Sequence, residues 1–138
     1  MHILYIHQYF STRSGATGTR SYEFARRWVA QGHRVTLLTG QVDLGRSAET
    51  QGRGSRERVD GIDVVRIGTR YSNKMGFARR VGAFIGFMVR ATWAGLFQVG
   101  PIDVVLATST PLTVGIPGHL VARWRRVPFA FEIRDLWP

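Results

Sequence analysis

Five short apolar segments alternate along the chain with segments of helical periodicity, and this alternation restricts the fold more than any other feature. It predicts strands over residues 3–6, 34–39, 63–67, 103–107 and 128–132, and helices over residues 19–31, 75–97 and 111–125. Apolar strands separated by helices are typical of a parallel sheet with crossover helices on both faces. Right-handed crossovers then favour a three-layer, Rossmann-like α/β domain with the strand order 3-2-1-4-5.

Length and composition indicate one folded domain over residues 1–138. The 138 residues are 44% hydrophobic, which is enough for a single packed core. The chain has no cysteine, which excludes a disulfide scaffold, a thiolate zinc site and a cysteine nucleophile. Residues 41–60 lack apolar periodicity and are rich in glycine and serine, so we expect a mobile loop there. The first residues resemble a strand more than a signal peptide, so we expect a cytoplasmic protein.

The formal net charge of +10 leaves three kinds of partner open. Nucleic acid is one, but the basic residues are dispersed, and no basic stripe with interleaved aromatic residues or known nucleic-acid-binding motif is present. An anionic membrane and a phosphorylated ligand agree with the sign of the charge equally well. We expect no nucleic-acid partner.

Ligands of such sheets bind beyond the carboxyl ends of the strands, where the strand order reverses. Here the segments at that edge are residues 7–18, 108–111 and 132–138. Gly15, Thr17 and Gly18 lie just before the first helix, where backbone N–H groups favour an anion such as phosphate. Their spacing matches neither the dinucleotide fingerprint nor a P-loop. The alternative is that these glycines only turn the chain.

Two further segments of this edge carry hydroxyl and imidazole groups. Ser109 and Thr110 follow the fourth strand, where they either line a ligand cleft or simply cap the next helix before Pro111. His7 follows the first strand and is expected to face the cleft. These residues are candidates for binding substrate.

The last residues carry the densest charge at this edge. Glu132, Arg134 and Asp135 lie at the carboxyl end of a buried strand, where a charge needs a partner or a function. The alternative is a structural pair between Arg134 and a carboxylate. No metal site is expected.

The segment 75–97 predicts a helix with two different faces. One face is expected to cover the sheet, with Phe77, Val81, Phe84, Ile85, Met88 and Thr92. The other face is expected to be exposed and to suit a membrane interface, with Arg79, Arg80, Phe87, Arg90 and Trp93. A membrane-spanning helix is an alternative, although Arg90 at its middle would cost roughly 2.5–3.5 kcal/mol. A further alternative is an ordinary helix whose outer face packs against a neighbouring part that these residues do not include.

Several of these segments together resemble a known family. They are the opening MHILYIHQYF, the segment QGHRVT before the second strand, DGIDV at the third strand, TSTP after the fourth and EIRDLWP at the end. The chain resembles the N-terminal domain of the family 4 retaining glycosyltransferases of GT-B fold, in the branch that builds bacterial surface polysaccharides such as lipopolysaccharide. The resemblance covers essentially the whole chain.

The resemblance implies transfer of a sugar from a nucleotide-sugar, UDP- or GDP-linked, with retention and without a bound metal or other cofactor. It implies an acceptor that is often a polyprenyl-diphosphate-linked sugar. Asp135 stands where relatives place the residue that orients the acceptor or assists at the reacting centre, and it is therefore the catalytic candidate. Arg134 would neutralise phosphate or hold Asp135. Gly15 and Gly18 would meet the diphosphate, and Ser109 and Thr110 would line the cleft.

The chain departs from the family in its length. The family's C-terminal donor-binding domain is absent from the 138 residues, so we expect either a fragment or a missing partner chain, and no glycosyl transfer by this chain alone. The resemblance also leaves open a peripheral position on the cytoplasmic face of the inner membrane. A stand-alone Rossmann-like module that binds anions or membranes is the alternative function.

Overall fold

A six-stranded sheet forms the centre of the molecule. The computed structural model describes residues 1–13, 19–42, 54–71, 76–109 and 111–134. The strands are β1 His2–Ile6, β2 Arg34–Val42, β3 Ser55–Val59, β4 Ile62–Tyr71, β5 Val104–Thr108 and β6 Phe129–Glu132. Their order is β3-β4-β2-β1-β5-β6, and every neighbouring pair is parallel except β3 with β4. The predicted Rossmann-like α/β fold is confirmed.

The five parallel strands follow the predicted order, and β3 adds an antiparallel strand at one edge. The expectation of a mobile loop over residues 41–60 is therefore wrong at Ser55–Val59, and it is also wrong at residues 41 and 42, which belong to β2, while residues 43–53 lie outside the described residues. Asp60 and Gly61 join β3 to β4 with φ values of 48° and 81°. Two consecutive positive φ values are typical of the tight turn of a β-hairpin. Because β3 is mostly exposed, it needs no apolar alternation.

Three helices cover the two faces of the sheet. They are α1 Arg20–Ala30, α2 Phe77–Trp93, which continues as a π-helical turn at Ala94–Gln98, and α3 Gly115–Arg125, which follows a 3₁₀ turn at Leu112–Val114. Helix α1 packs on one face, and α2 and α3 pack side by side on the other. Gly32 follows α1 with a φ of 86°, a left-handed conformation that glycine adopts without strain at the end of a helix.

The alternation of β1 divides the core into two layers. Ile3 and Tyr5 pack with Tyr22 of α1, whereas Leu4 and Ile6 pack with Phe87 of α2. All five residues of β1 are buried because helices cover both faces of the strand.

Helix α2 faces the sheet with a different side from the one predicted. Phe87 and Ala91 are fully buried, whereas Phe77 and Ile85, which we expected to cover the sheet, are 83% and 51% exposed. Phe87 lies over Gly40 of β2, where an added Cβ atom would be in ordinary contact with the ring, 3.6 Å from Cδ2. The ring therefore fills the space above Gly40. Phe87 is a core residue, and its assignment to a membrane-facing surface is wrong.

The C-terminal end of α2 is fastened to α3. Nη2 of Arg125 donates hydrogen bonds to the carbonyl oxygens of Leu96 and Val99, at 2.6 and 2.8 Å. Carbonyl groups at the C-terminal end of a helix have no hydrogen-bond partners within the helix, and Arg125 supplies partners for these two. By length and hydropathy alone, Phe77–Gln98 is able to cross a membrane. Here the helix is part of the sheet-covering layer.

Candidate functional site

The carboxyl ends of β1, β5 and β6 bring four of the predicted site residues to one edge of the sheet, which we call the polar edge. His7 follows β1, Ser109 follows β5, Glu132 ends β6 and Arg134 lies two residues beyond it. The backbone N–H of Ser109 donates to the carbonyl oxygen of Glu132 at 2.9 Å. The hydroxyl oxygen of Ser109 accepts from the backbone N–H of Arg134, also at 2.9 Å. Ser109 therefore positions the segment that leaves β6.

A hydrogen-bonded chain connects the buried interior with this edge. The Tyr5 hydroxyl and the Thr108 hydroxyl lie 2.9 Å apart, and the Thr108 hydroxyl donates to Oε2 of Glu132 at 3.0 Å. Because threonine has a single hydroxyl proton, Tyr5 must be the donor to Thr108. Oε1 of Glu132 is paired with the guanidinium of Arg20. Both carboxylate oxygens are thus held, which fixes the Glu132 side chain at the rim of the site.

Among the described residues, the balance of charge at this edge is positive. Glu132 takes Arg20 as its partner, and the alternative of a structural pair between Arg134 and a carboxylate is not seen among these residues. Arg134 is exposed; its charge adds to the effect of burial in lowering the pKa of His7, and it partly opposes the burial that raises the pKa of Tyr5. The N-terminus of α1 lies at the same edge, since Arg20 is its first residue. The Arg134 guanidinium and the helix N–H groups together favour an anionic ligand.

His7 lies at the predicted position, but its ring is buried. It is 3% exposed, and its Nδ1 lies 2.8 Å from the hydroxyl of Ser21 in α1. The pKa of His7 is lowered to about 4, mainly by burial and also by the nearby charge of Arg134, with Glu132 opposing. The imidazole is therefore neutral at pH 7. Contact between His7 and a substrate stays a prediction.

The remaining predicted residues of this edge lie outside the described residues. They are Gly15, Thr17, Gly18, Thr110 and Asp135. Their roles in binding an anion, lining the cleft and assisting the reaction stay predictions. In the ranges that the structure describes, no group of three histidine or acidic side chains is arranged to hold a metal ion.

Four residues of the polar edge were not recognised in the sequence: Tyr5, Arg20, Ser21 and Thr108. Tyr5 lies within an apolar run, where it contributes to the strand pattern like any aromatic residue. A signal was nevertheless available, because the hydroxyl of a buried tyrosine needs a hydrogen-bond partner. Arg20 and Thr108 are recognisable only once β1, β5 and α1 lie side by side.

The residues predicted to face a membrane have different environments. Arg79 is exposed, Arg80 is half-buried, and Trp93 is 59% exposed and packs against Phe97 with ring centres 4.4 Å apart. The guanidinium of Arg90 donates to the carbonyl oxygen of Gly68 in β4. With Phe87 in the core, the other four residues are at least partly exposed on α2.

Fold and polar edge together define a class of protein. The chain is a three-layer α/β domain with a mostly parallel sheet, and its carboxyl edge presents fixed carboxylate, hydroxyl and guanidinium groups beside the start of a helix. A family model described as "Glycosyl transferase 4-like domain" matches residues 15–138. The chain belongs to the glycosyl transferase 4-like domain family.

Solved structures share the fold at low sequence identity. The C-terminal domain of a hydrogenase from Pyrococcus furiosus is 17% identical, with a TM-score of 0.64 over 95% of this chain and 90% of that one. The Escherichia coli trehalose-6-phosphate protein bound with UDP-2-fluoro glucose is 10% identical, with a TM-score of 0.58 over 100% of this chain and 34% of that one. The chain thus spans about a third of the second protein. No curated protein matches by sequence.

Proposed function

We propose that the chain is the acceptor-binding half of a retaining glycosyltransferase that transfers a sugar from a nucleotide-sugar to a lipid-linked glycan. The observation that carries the proposal is the family match over residues 15–138, which includes every described strand except β1. The fold likeness to a protein bound with UDP-2-fluoro glucose supports the proposal.

The polar edge supports binding of an acceptor that carries phosphate. Arg134 offers a guanidinium that is free of carboxylate partners in the described part of the chain, and charge-assisted hydrogen bonds to phosphate are among the stronger ones. Glu132, held by Arg20 and Thr108, is placed to accept a hydrogen bond from a sugar hydroxyl. In this proposal Glu132 orients the acceptor sugar, and Arg134 neutralises its phosphate.

The reaction itself is assigned to a site completed by a second domain. A nucleotide-sugar held by that domain would face the polar edge, with Asp135 as the catalytic residue of this half. Transfer would proceed with retention and would not need a metal. We place the protein on the cytoplasmic side of the inner membrane, where nucleotide-sugars and lipid-linked acceptors meet.

Acceptor binding tests the proposal directly. A short-chain polyprenyl diphosphate N-acetylglucosamine should bind the chain in isothermal titration calorimetry. The Arg134→Gln variant should weaken binding by about tenfold, because a charge-assisted hydrogen bond is worth about 1.5–3 kcal/mol. Arg27→Gln is the matched control, since Arg27 is exposed on α1 and should leave binding unchanged. Equal binding by both variants and the wild type would argue against an acceptor site at this edge.

A further inference from the structure

The outer sides of α2 and α3 carry two rows of exposed apolar side chains, each with a spacing of four residues. Their exposed fractions range from 38% for Val81 to 83% for Phe77. The row of α2, continued by its π-helical turn, is Phe77, Val81, Ile85, Val89, Trp93 and Phe97; the row of α3 and its 3₁₀ turn is Leu112, Ile116, Leu120 and Trp124. Side chains four residues apart are neighbours on the surface of a helix, so each row is continuous along its helix.

The two rows lie on the same layer of the molecule. Helices α2 and α3 cover the same face of the sheet and approach closely, since a Cβ atom at Gly95 would lie 2.8 Å from Cγ2 of Val121. Phe87 and Val121 point into the core, so the exposed rows point away from it. We call the ten residues of the two rows the α2–α3 surface. Proteins that stay monomeric in water rarely expose so many large apolar side chains together.

The charge around the α2–α3 surface is strongly positive. Residues 76–126 contain six arginines and a single acidic residue, Asp103. Of the six arginines, Arg79, Arg90, Arg123 and Arg126 are exposed. A second copy of the chain would bring the same positive charge against itself, because a twofold interface joins identical patches. The surface instead matches a partner with an apolar interior and a negative boundary.

A groove beside the α2–α3 surface adds guanidinium groups at its border. Its volume is about 700 Å³, and it lies between the β3–β4 hairpin and α2. Val65 and Ile67 are among the apolar residues that line it, and Trp93 belongs both to the groove and to the exposed row. Two arginines lie at its border: Arg56, which also pairs with Asp63, and Arg90, which donates to a backbone carbonyl of β4. Apolar side chains and guanidinium groups are therefore adjacent on this surface. Lipids have a matching arrangement, in which apolar acyl chains lie next to negatively charged phosphates.

We propose that the α2–α3 surface docks on a lipid bilayer rich in anionic lipids, with both helices lying in the plane of the interface. The apolar rows enter the boundary between headgroups and acyl chains, and the surrounding arginines contact lipid phosphates. Trp93 and Trp124, near the C-terminal ends of the two helices, occupy the depth that tryptophan prefers at a membrane. This proposal does not depend on the proposed sugar transfer.

Vesicle co-sedimentation of the 138-residue chain tests the proposal. The chain should sediment with phosphatidylcholine vesicles that contain phosphatidylglycerol and should bind at least about tenfold less to vesicles of phosphatidylcholine alone, because each basic residue near an anionic surface adds about 1 kcal/mol. The Val89→Gln/Leu120→Gln variant should lose at least about tenfold in binding to the anionic vesicles. Both positions are exposed, so circular dichroism should show an unchanged fold.

A matched pair of charge-reversal variants distinguishes binding through the α2–α3 surface from attraction that depends only on net charge. Arg79→Glu/Arg123→Glu should abolish most of the binding to anionic vesicles, whereas Arg26→Glu/Arg27→Glu, which changes the charge equally on α1, should keep most of it. Equal losses in the two variants would overturn the proposal, as would equal binding to both kinds of vesicle. A dimer in solution that Val89→Gln/Leu120→Gln dissolves, without vesicle binding by the wild type, would identify self-association instead.

Discussion

At the scale of single residues, the polar edge is organised by hydrogen bonds that begin in the core. Tyr5 donates to Thr108, and Thr108 donates to Glu132, whose other oxygen is paired with Arg20. A buried carboxylate or hydroxyl without a partner would cost about 1–3 kcal/mol, so each residue of this chain supports the next. The geometry of the edge therefore depends on Tyr5, a residue that never reaches the surface.

His7 gives a prediction about pH and stability. Its pKa is lowered from 6.5 to about 4 in the folded chain, so the unfolded chain binds a proton first as the pH falls. The stabilisation is complete above the unfolded value and is lost as the pH falls towards the folded value, by roughly 3 kcal/mol for a burial of this kind. The His7→Gln variant should show a weaker loss of stability across that range, measured by urea unfolding at several pH values.

The control for this prediction is His119→Gln, because His119 is exposed on α3. That variant should keep the slope of the wild type. A residual slope in the His7→Gln variant is expected from His2, since burial lowers the pKa of His2 as well. Identical slopes for wild type and His7→Gln would show that His7 is not buried as a neutral imidazole.

At the scale of elements, the rotation of α2 about its axis places Phe87, Ala91 and Ala94 against the sheet. The Phe87 ring lies over Gly40, and the small side chains of Ala91 and Ala94 let the helix approach the sheet closely. Apolar periodicity alone could not select this side, because α2 carries large apolar residues on its outer side too. The same rotation leaves the row from Phe77 to Phe97 exposed.

Truncation of side chains on the two sides of α2 tests this rotation. Phe87→Ala should destabilise the chain by about 3–5 kcal/mol, because it opens a cavity above Gly40. Ile85→Ala, at a position 51% exposed, should change the free energy of unfolding by less than about 1 kcal/mol. Urea unfolding in the absence of lipid measures both values. The reverse order of the two effects would mean that the helix faces the sheet with its other side.

At the scale of the whole molecule, two surfaces with different chemistry are kept apart by the parallel sheet. The polar edge lies at the carboxyl ends of the strands, and the α2–α3 surface lies on the outside of one helical layer. Both α2 and α3 start after strands that end at the polar edge. A bilayer in contact with the α2–α3 surface would thus lie next to the edge that we propose for a lipid-linked acceptor.

The 138 residues alone should not transfer sugar. In the proposed function the nucleotide-sugar is held by a second domain, so this chain supplies only the acceptor side of the reaction. Radiolabelled UDP-glucose or GDP-mannose, incubated with the chain and the polyprenyl diphosphate N-acetylglucosamine, should give no labelled lipid above a heat-denatured control. Labelled product above that control would contradict the division of the site between two domains.

The sequence was sufficient to predict the order of the five parallel strands and the presence of the three helices. The reason is that the periodicity of strands and helices is a local property of the chain and the handedness of crossovers is a general one. The sequence located four residues of the polar edge, since parallel strands end together. It missed β3, although Asp60-Gly61 is a strong hairpin signal, because exposed strands lack apolar alternation. The partner of Glu132 and the buried side of α2 were decided only by packing, because the contacts of Glu132 with Arg20 and of Phe87 with the sheet join residues that are far apart in sequence.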